Sequence, residues 1–301
     1  MIEILNKNQI NEKTIFNFSK CQFIRPFALL LMYQTINKNI QSKVNFIPSN
    51  KEYFKNMGLY DLLNQNYEFN ERTDRFKIYK YNINDFYYDN KLNTDKITET
   101  SKMFSNLLIN SKYYDKYIDF FMYFFREIFR NAIEHSYGRS VVFYATVLPK
   151  KNMFEFAIFD DGRGIEYSLR KNSKLIKEIN KGKNVIDLAM NPGVSSFSNY
   201  RYLNTEDSKW KNSGFGLSIV KEFCMRLQGE FIICSNNELR IFNSYTKVME
   251  THRCDIKGVG IQVRFVYDKN FDYKKMFDEI INDLEKSSGL VASEISKIKK
   301  L

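Results

Sequence analysis

The chain is poor in the residues that mark several protein classes. Its 301 residues include only four cysteines, two histidines, four prolines and twelve glycines. Cys21, Cys224, Cys234 and Cys254 show no Cys-x-x-Cys spacing, and only His135 and His252 could join them, so a zinc site is not expected. Cys224 and Cys234 sit in apolar runs and read as small core residues. Scarce proline and glycine argue against long disordered linkers. No run of eighteen apolar residues occurs, which excludes a helical membrane span. The N-terminus has no basic segment leading into an apolar core, so no secretory signal is read there. A reduced, cytoplasmic protein is the expectation. A Gly-x-x-x-x-Gly-Lys-Ser/Thr sequence is also missing, which excludes a P-loop.

What the chain has in quantity is aromatic and cationic. There are 27 phenylalanines and 20 tyrosines, with hydrophobic residues at 44% and charged residues at 27%, ordinary values for a folded protein. The length allows one large domain or two small ones, each with its own core. The net charge of +11 could attract nucleic acid or an anionic surface. It is spread through a Lys-, Asn- and Ile-rich composition, however, and the short Lys297-Ile298-Lys299-Lys300 end is the most basic feature of the tail. Charge alone therefore does not select nucleic acid as a partner.

Three short blocks carry chemistry. The first, Arg126 to Ser136, places Glu127 and Asn131 four residues apart in a heavily apolar run, on one face of a helix. Magnesium takes one or two hard oxygens from protein and keeps several waters, and the Asn131 amide oxygen can supply one without adding charge beside phosphates. Glu127, one turn earlier, is placed to deprotonate an attacking water. In the second block, Asp160-x-Gly162-x-Gly164-Ile165 ends an apolar strand. Its carboxylate can accept from an exocyclic amine, and its glycines let backbone approach a flat base. The third, Gly214-Phe215-Gly216-Leu217, opens a helix continued by Ile219, Val220, Phe223, Cys224 and Leu227. Free N–H groups at a helix start suit phosphate. Each block alone has a plain reading: an amphipathic surface, a hairpin turn, a loop before a core helix.

Together, in this order, the blocks resemble the N, G1 and G2 boxes of the gyrase–Hsp90–histidine kinase–MutL (GHKL) ATPase superfamily. The third is very close to the histidine-kinase form. The resemblance implies a Bergerat α/β sandwich with helices on one face of a mixed sheet. It implies ATP and Mg2+ as cofactors, with Asn131 on the metal and Glu127 as general base in hydrolysing members. It also implies adenine contact by Asp160, an adenine pocket shaped by Gly162, Gly164 and Ile165, and phosphate contact from Gly214, Phe215, Gly216 and Leu217.

The pattern along the chain suggests three parts: an α/β unit over 1–90, an ATP-binding domain over 91–270, and a helical tail over 271–301. In the first, Ile2–Leu5, Thr14–Phe18 and Val44–Ile47 read as strands. Helices are read from Pro26 to about Ile40 and over 53–63, so adjacent strands should be parallel. Around Phe18 to Leu29 this unit resembles a STAS domain, the fold of anti-anti-sigma factors. The phosphorylatable serine expected there is replaced by Arg25-Pro26-Phe27-Ala28, which points to a scaffold or docking surface. An edge strand is expected near Phe76–Tyr79, helices over 92–112 and 113–136, and strands over 140–148, 153–159, 229–235, 239–248 and 259–267. Residues 166–213 read as a long polar excursion, placed where the superfamily keeps its ATP lid. Phe271, Met276, Phe277, Ile280, Ile281 and Leu284 form a helical stripe that should dock on its own domain.

Three functions follow. The first is a Mg-ATP-driven conformational switch, hydrolysing ATP through Glu127, in bacterial signalling or defence, acting on a protein partner or within a homodimer. The second is a serine kinase of the anti-sigma-factor type acting on a STAS partner, since Asn131 to Ser136 resembles the N box of those enzymes. The third is an adaptor that binds ATP without turning it over. Neither His135 nor His252 is placed like the acceptor of a histidine autokinase, and 271–301 is too short for the transducer domain of gyrase or MutL relatives.

Overall fold

Alternation along the strands and the 3.6-residue period along the helices fix the architecture. The computed structural model describes residues 15–20, 24–39, 45–48, 78–108, 118–148, 151–195, 214–268 and 271–292. The first elements among the described residues are β1 (Ile15–Phe18), α1 (Pro26–Asn39) and β2 (Asn45–Pro48), and β1 and β2 pair in parallel as the strand–helix–strand order requires. Pro26 takes the first position of α1, where a missing N–H costs nothing. The short strands β3 (Tyr79–Asn82), β4 (Tyr87–Tyr88) and β5 (Lys91–Leu92) follow, then helices α2 (Thr94–Leu108) and α3 (Ile118–Glu134). The hairpin β6 (Ser140–Leu148) and β7 (Met153–Asp160) leads into helices α4 (Gly164–Leu169), α5 (Ser173–Asn180), α6 (Val185–Met190) and α7 (Gly216–Arg226). Strands β8 (Glu230–Ser235), β9 (Glu238–Asn243), β10 (Val248–Arg253) and β11 (Val259–Val266) and helix α8 (Tyr273–Ser288) complete it. The strand read over 2–5, the helix over 53–63, Cys21 and Lys297–Lys300 lie outside the described residues.

A seven-stranded sheet runs β10-β9-β8-β11-β7-β6-β3. Every pairing in it is antiparallel, which corrects the expected mixed sheet. Strands β7 and β8 do point the same way, but β11 lies between them and is antiparallel to both. The short connections of β6–β7, β8–β9 and β9–β10 can join only antiparallel neighbours. The single strand expected over 239–248 is two, because Asn243 Oδ1 accepts from the Tyr245 and Thr246 N–H groups and turns the chain.

The helices after residue 90 pack on one face of the sheet, as expected, and the N-terminal α1 covers the other. One face carries the main core, where Phe121, Phe124, Phe125, Ile128 and Phe129 of α3 meet Phe154, Phe156 and Ile158 of β7. The intervening residues of β7, Ala157 and Phe159, point the other way into a second core with Ile24, Phe27, Leu30 and Leu31 of the α1 region. The run Phe154-Glu155-Phe156-Ala157-Ile158-Phe159 carries this in its composition, since a strand buried on both sides loses the apolar–polar alternation. The sheet also reaches across the boundary expected at 90/91, because β3 pairs with β6. Most of the tail stripe docks: Met276, Phe277, Ile280 and Ile281 join the main core together with Tyr273, and Leu284 packs against it, with the Phe277 ring 4.8 Å from that of Tyr123; Phe271, also expected in the stripe, is exposed.

The excursion over 166–213 is helical in its described half, contrary to an irregular loop. Asn172 and Asn184 cap α5 and α6 by accepting from backbone N–H groups. Ile179, Ile186, Leu188 and Met190 are buried in the main core. Helices of six to eight residues are too short to show a periodicity.

The seating of α1 can be tested. Phe27 packs on Phe159 with ring centroids 5.0 Å apart. Phe27→Ala should cost about 3–5 kcal/mol in urea unfolding, the usual range for a deleted core ring. A loss below about 1 kcal/mol would show that α1 is not held on the sheet in this way.

Candidate functional site

Helix α3 aims two polar side chains at the start of α7. Asn131 lines a cleft of about 850 Å³, solvent included, between α3, the sheet and helices α4, α6 and α7. Glu127, one turn earlier, is buried beneath it at 2% exposure. Arg126 donates to Glu127 Oε1 from Nη2 at 3.3 Å. The backbone of Gly216 passes directly over the same carboxylate, and a Cβ there would collide with Glu127 Oε2. The carboxylate is thus separated from the cleft by the first residue of α7.

Asp160, the last residue of β7, stands at the cleft's inner end and is buried. Its Oδ1 accepts from Gly162 N at 2.9 Å and Val259 N at 3.2 Å. Both bonds use one oxygen, which leaves Oδ2 as the acceptor for a ligand. Burial pushes its pKa from 3.8 up to about 7, against the two backbone hydrogen bonds, with Asp161 adding to the rise. Asp161 has a different job. Its Oδ1 accepts from Arg139 N and Ser140 N at 2.7 and 2.9 Å, tying the start of β6 to the loop.

Two glycines need their left-handed backbone. Gly164 has φ +81° and Gly214 has φ +75°, and a Cβ would strike Asn236 Oδ1 at the first and Val194 O at the second. Gly193 N donates to Gly214 O at 3.2 Å, closing the excursion on itself. Among the described residues no side chain caps the start of α7, whose first residues Gly216 and Leu217 line the cleft.

Seven of the ten expected residues line this one cleft: Asn131, Asp160, Gly164, Ile165, Gly214, Gly216 and Leu217. Three do not. Glu127 lies behind Gly216. Gly162 packs on the end of α3, where a Cβ would strike Ser136 O. Phe215 is fully buried and anchors α7 from below, its carbonyl accepting from Ser218 Oγ at 2.8 Å. The cleft adds residues that sequence reading missed. Ile128, Ala132, Ile158, Ile233 and Ile261 make an apolar floor, and Ser168, Leu169, Ala189 and Val194 make a wall. Their signal was present only as ordinary core periodicity. His135 and Ser136, just past Asn131, also line it. Burial lowers the His135 pKa from 6.5, with Glu134 acting in the opposite direction.

An apolar slot with a buried acceptor at one end and a helix start at the other suits a flat heterocycle carrying phosphates. A family model described as histidine kinase-, DNA gyrase B-, and HSP90-like ATPase matches residues 117–265. Among curated proteins no match is found.

Proposed function

We propose, from the premise that this chain belongs through residues 117–265 to the histidine kinase-, DNA gyrase B- and HSP90-like ATPase family, that it is a Mg-ATP-driven conformational switch in signalling or defence. The family carries ATP binding with it; the roles of single residues and the hydrolysis step are our reading. The observation that carries them is the convergence of three separate sequence blocks on one cleft. Adenine lies on the apolar floor with its amine toward Asp160 Oδ2. The phosphates meet the start of α7. Asn131 would hold the accompanying magnesium ion through its amide oxygen. Among the described residues no group of three or more His, Cys, Asp or Glu could hold a metal by itself. A single neutral oxygen fits an ion held mainly by phosphate and water. When bound, magnesium would neutralise charge on the phosphates.

Helices α4 and α6 make the cleft's outer wall, and we read the described part of 166–213 as the fixed part of an ATP lid. Glu127 is the proposed general base, and because Gly216 stands between it and the cleft, the role requires the start of α7 to shift off the carboxylate when ATP binds. It would then take a proton from water as that water's oxygen bonds to the γ-phosphorus, and the bond to the ADP oxygen breaks to release phosphate.

A serine kinase remains the second reading, favoured by the Asn131–Ser136 block. The chain would not be its own substrate. The place of the acceptor serine is taken by Arg25-Pro26-Phe27-Ala28, and Phe27 is buried against the sheet. The N-terminal unit then serves as a docking surface. A third reading, an ATP-binding adaptor, predicts binding without any product. Among the described residues no helix is long and apolar enough to cross a membrane.

The metal role has a direct test. Asn131→Ala should weaken Mg-ATP binding at least about tenfold, the scale on which even outer metal partners act. ATP binding in a chelator should change little. Calorimetry giving equal losses with and without magnesium would show that Asn131 does not serve the ion.

A further inference from the structure

One wall of the cleft depends on a side chain that never reaches it. Helix α6 gives Ala189 to the cleft, and the residues just beyond give Val194 and Ser195. The helix has only six residues, too few to hold itself. Arg240 of β9, 6% exposed, ties it to the sheet. Its guanidinium donates from Nη1 to Asp187 Oδ1 on α6 and from Nε to Glu238 Oε1 on its own strand. Glu238 Oε2 accepts from Asn184 Nδ2 at 2.6 Å. Asn184 in turn caps α6, accepting from Ile186 N at 2.8 Å and Asp187 N at 3.2 Å. The turn before β9 holds the neighbouring wall as well. Ser235 Oγ accepts from Ile165 N at 2.9 Å and donates to Asn236 Oδ1 at 2.8 Å, beside the left-handed Gly164. One hairpin edge therefore anchors the first residues of both α4 and α6.

We infer that Arg240 is a positioning residue of the nucleotide cleft, holding α6 against the sheet so that Ala189 and Val194 close on the bound nucleotide. The inference rests on the ATP reading above. Without the guanidinium, α6 loses its tie through Asp187 to β9 and keeps the one through Asn184 and Glu238, so the helix is held less firmly on the sheet. ATP must then draw the helix back before it is held, so the loss appears as affinity. Lysine is a point charge that cannot fork to both carboxylates.

The test compares Mg-ATP calorimetry and amide exchange of the full chain in wild type, Arg240→Ala and Arg240→Lys. Arg240→Ala should weaken binding roughly tenfold, an ordinary size for coupled neighbours. Exchange should quicken at residues 185–190 while β7 and β11 keep their protection, and saturating ATP should restore the slow rates. Arg240→Lys should recover part of both effects. Wild-type affinity in Arg240→Ala, or faster exchange across the whole sheet in step with the lost affinity, would overturn the role. A wild-type protein that binds no Mg-ATP would reject the ATP reading, and this proposal with it. Binding by wild type with no difference in Arg240→Ala rejects Arg240 alone.

Discussion

Asp160→Asn should lower ATP affinity by about 10²-fold or more and erase the preference for adenine. Hydrogen bonds to a charged group contribute about 1.5–3 kcal/mol, and a mismatched buried partner costs more. In the free protein Asp160 Oδ1 is already engaged by Gly162 N and Val259 N. An asparagine keeps those bonds by placing its single oxygen there. Its NH2 then takes the position of Oδ2 and meets the adenine amine donor to donor. A purine with a keto oxygen at that position, as in GTP or ITP, would instead find a donor. The variant should therefore bind GTP or ITP as well as ATP or better, while wild type strongly prefers ATP. Competition binding in which Asp160→Asn retains the wild-type ranking would remove Asp160 from base recognition.

Titration of the same carboxylate gives a second signature. Its pKa in the folded protein is about 7 against an ordinary 3.8. The unfolded chain ionises first, so the folded protein binds the extra proton between those values. Stability from this group is full below about pH 4 and is lost as pH rises toward 7, by on the order of a few kcal/mol. Asp160→Asn should flatten that slope in urea unfolding. The base amine needs the ionised form, so affinity should move the other way. Binding of adenosine, which has no titrating phosphate, should weaken as pH falls below about 7, approaching tenfold per unit. An affinity independent of pH from 6 to 8 would show that the acceptor is not this carboxylate.

The cleft was legible in the sequence to the extent that its chemistry sits in short local patterns. Asn131, Asp160 and the glycines at 164, 214 and 216 are marked by spacing and by glycine's special backbone, and they come together. The apolar floor was not legible as a site, because Ile158 and Ile261 look like any buried strand residue. Arg240 was invisible for a related reason. Its partner Asp187 lies 53 positions away, and only the hairpin's placement beside α6 unites them. The two-sided burial of β7 could have been read from Phe156-Ala157-Ile158-Phe159, where apolar residues fall on both faces. The antiparallel sheet could not, since β11 enters between β7 and β8 from far along the chain.

The largest effect on turnover is expected at Glu127. Glu127→Gln should keep ATP affinity within a few-fold and reduce phosphate release by roughly 10²–10⁴-fold, the usual worth of a general base. Glutamine is the better probe than alanine here. The side chain is buried between Arg126 and the backbone of Gly216, so alanine would open a hole and remove the acceptor of the Arg126 hydrogen bond. Glutamine fills the space, accepts from Arg126 through its oxygen, and lacks only the basic oxygen. Binding should survive because Glu127 lies behind Gly216, outside the residues that line the cleft. The same contact predicts that Gly216→Ala cannot be tolerated without moving α7 or the carboxylate, since the added methyl would occupy the place of Oε2. Both variants should be followed with γ-labelled ATP, alone and with a STAS-type protein. Free phosphate from wild type that vanishes in Glu127→Gln supports hydrolysis. Label appearing on a partner serine assigns the same base to a hydroxyl and makes the protein a kinase. Tight ATP binding with label on neither leaves a switch driven by binding alone. Free phosphate released at the wild-type rate by Glu127→Gln would place the base elsewhere in the cleft.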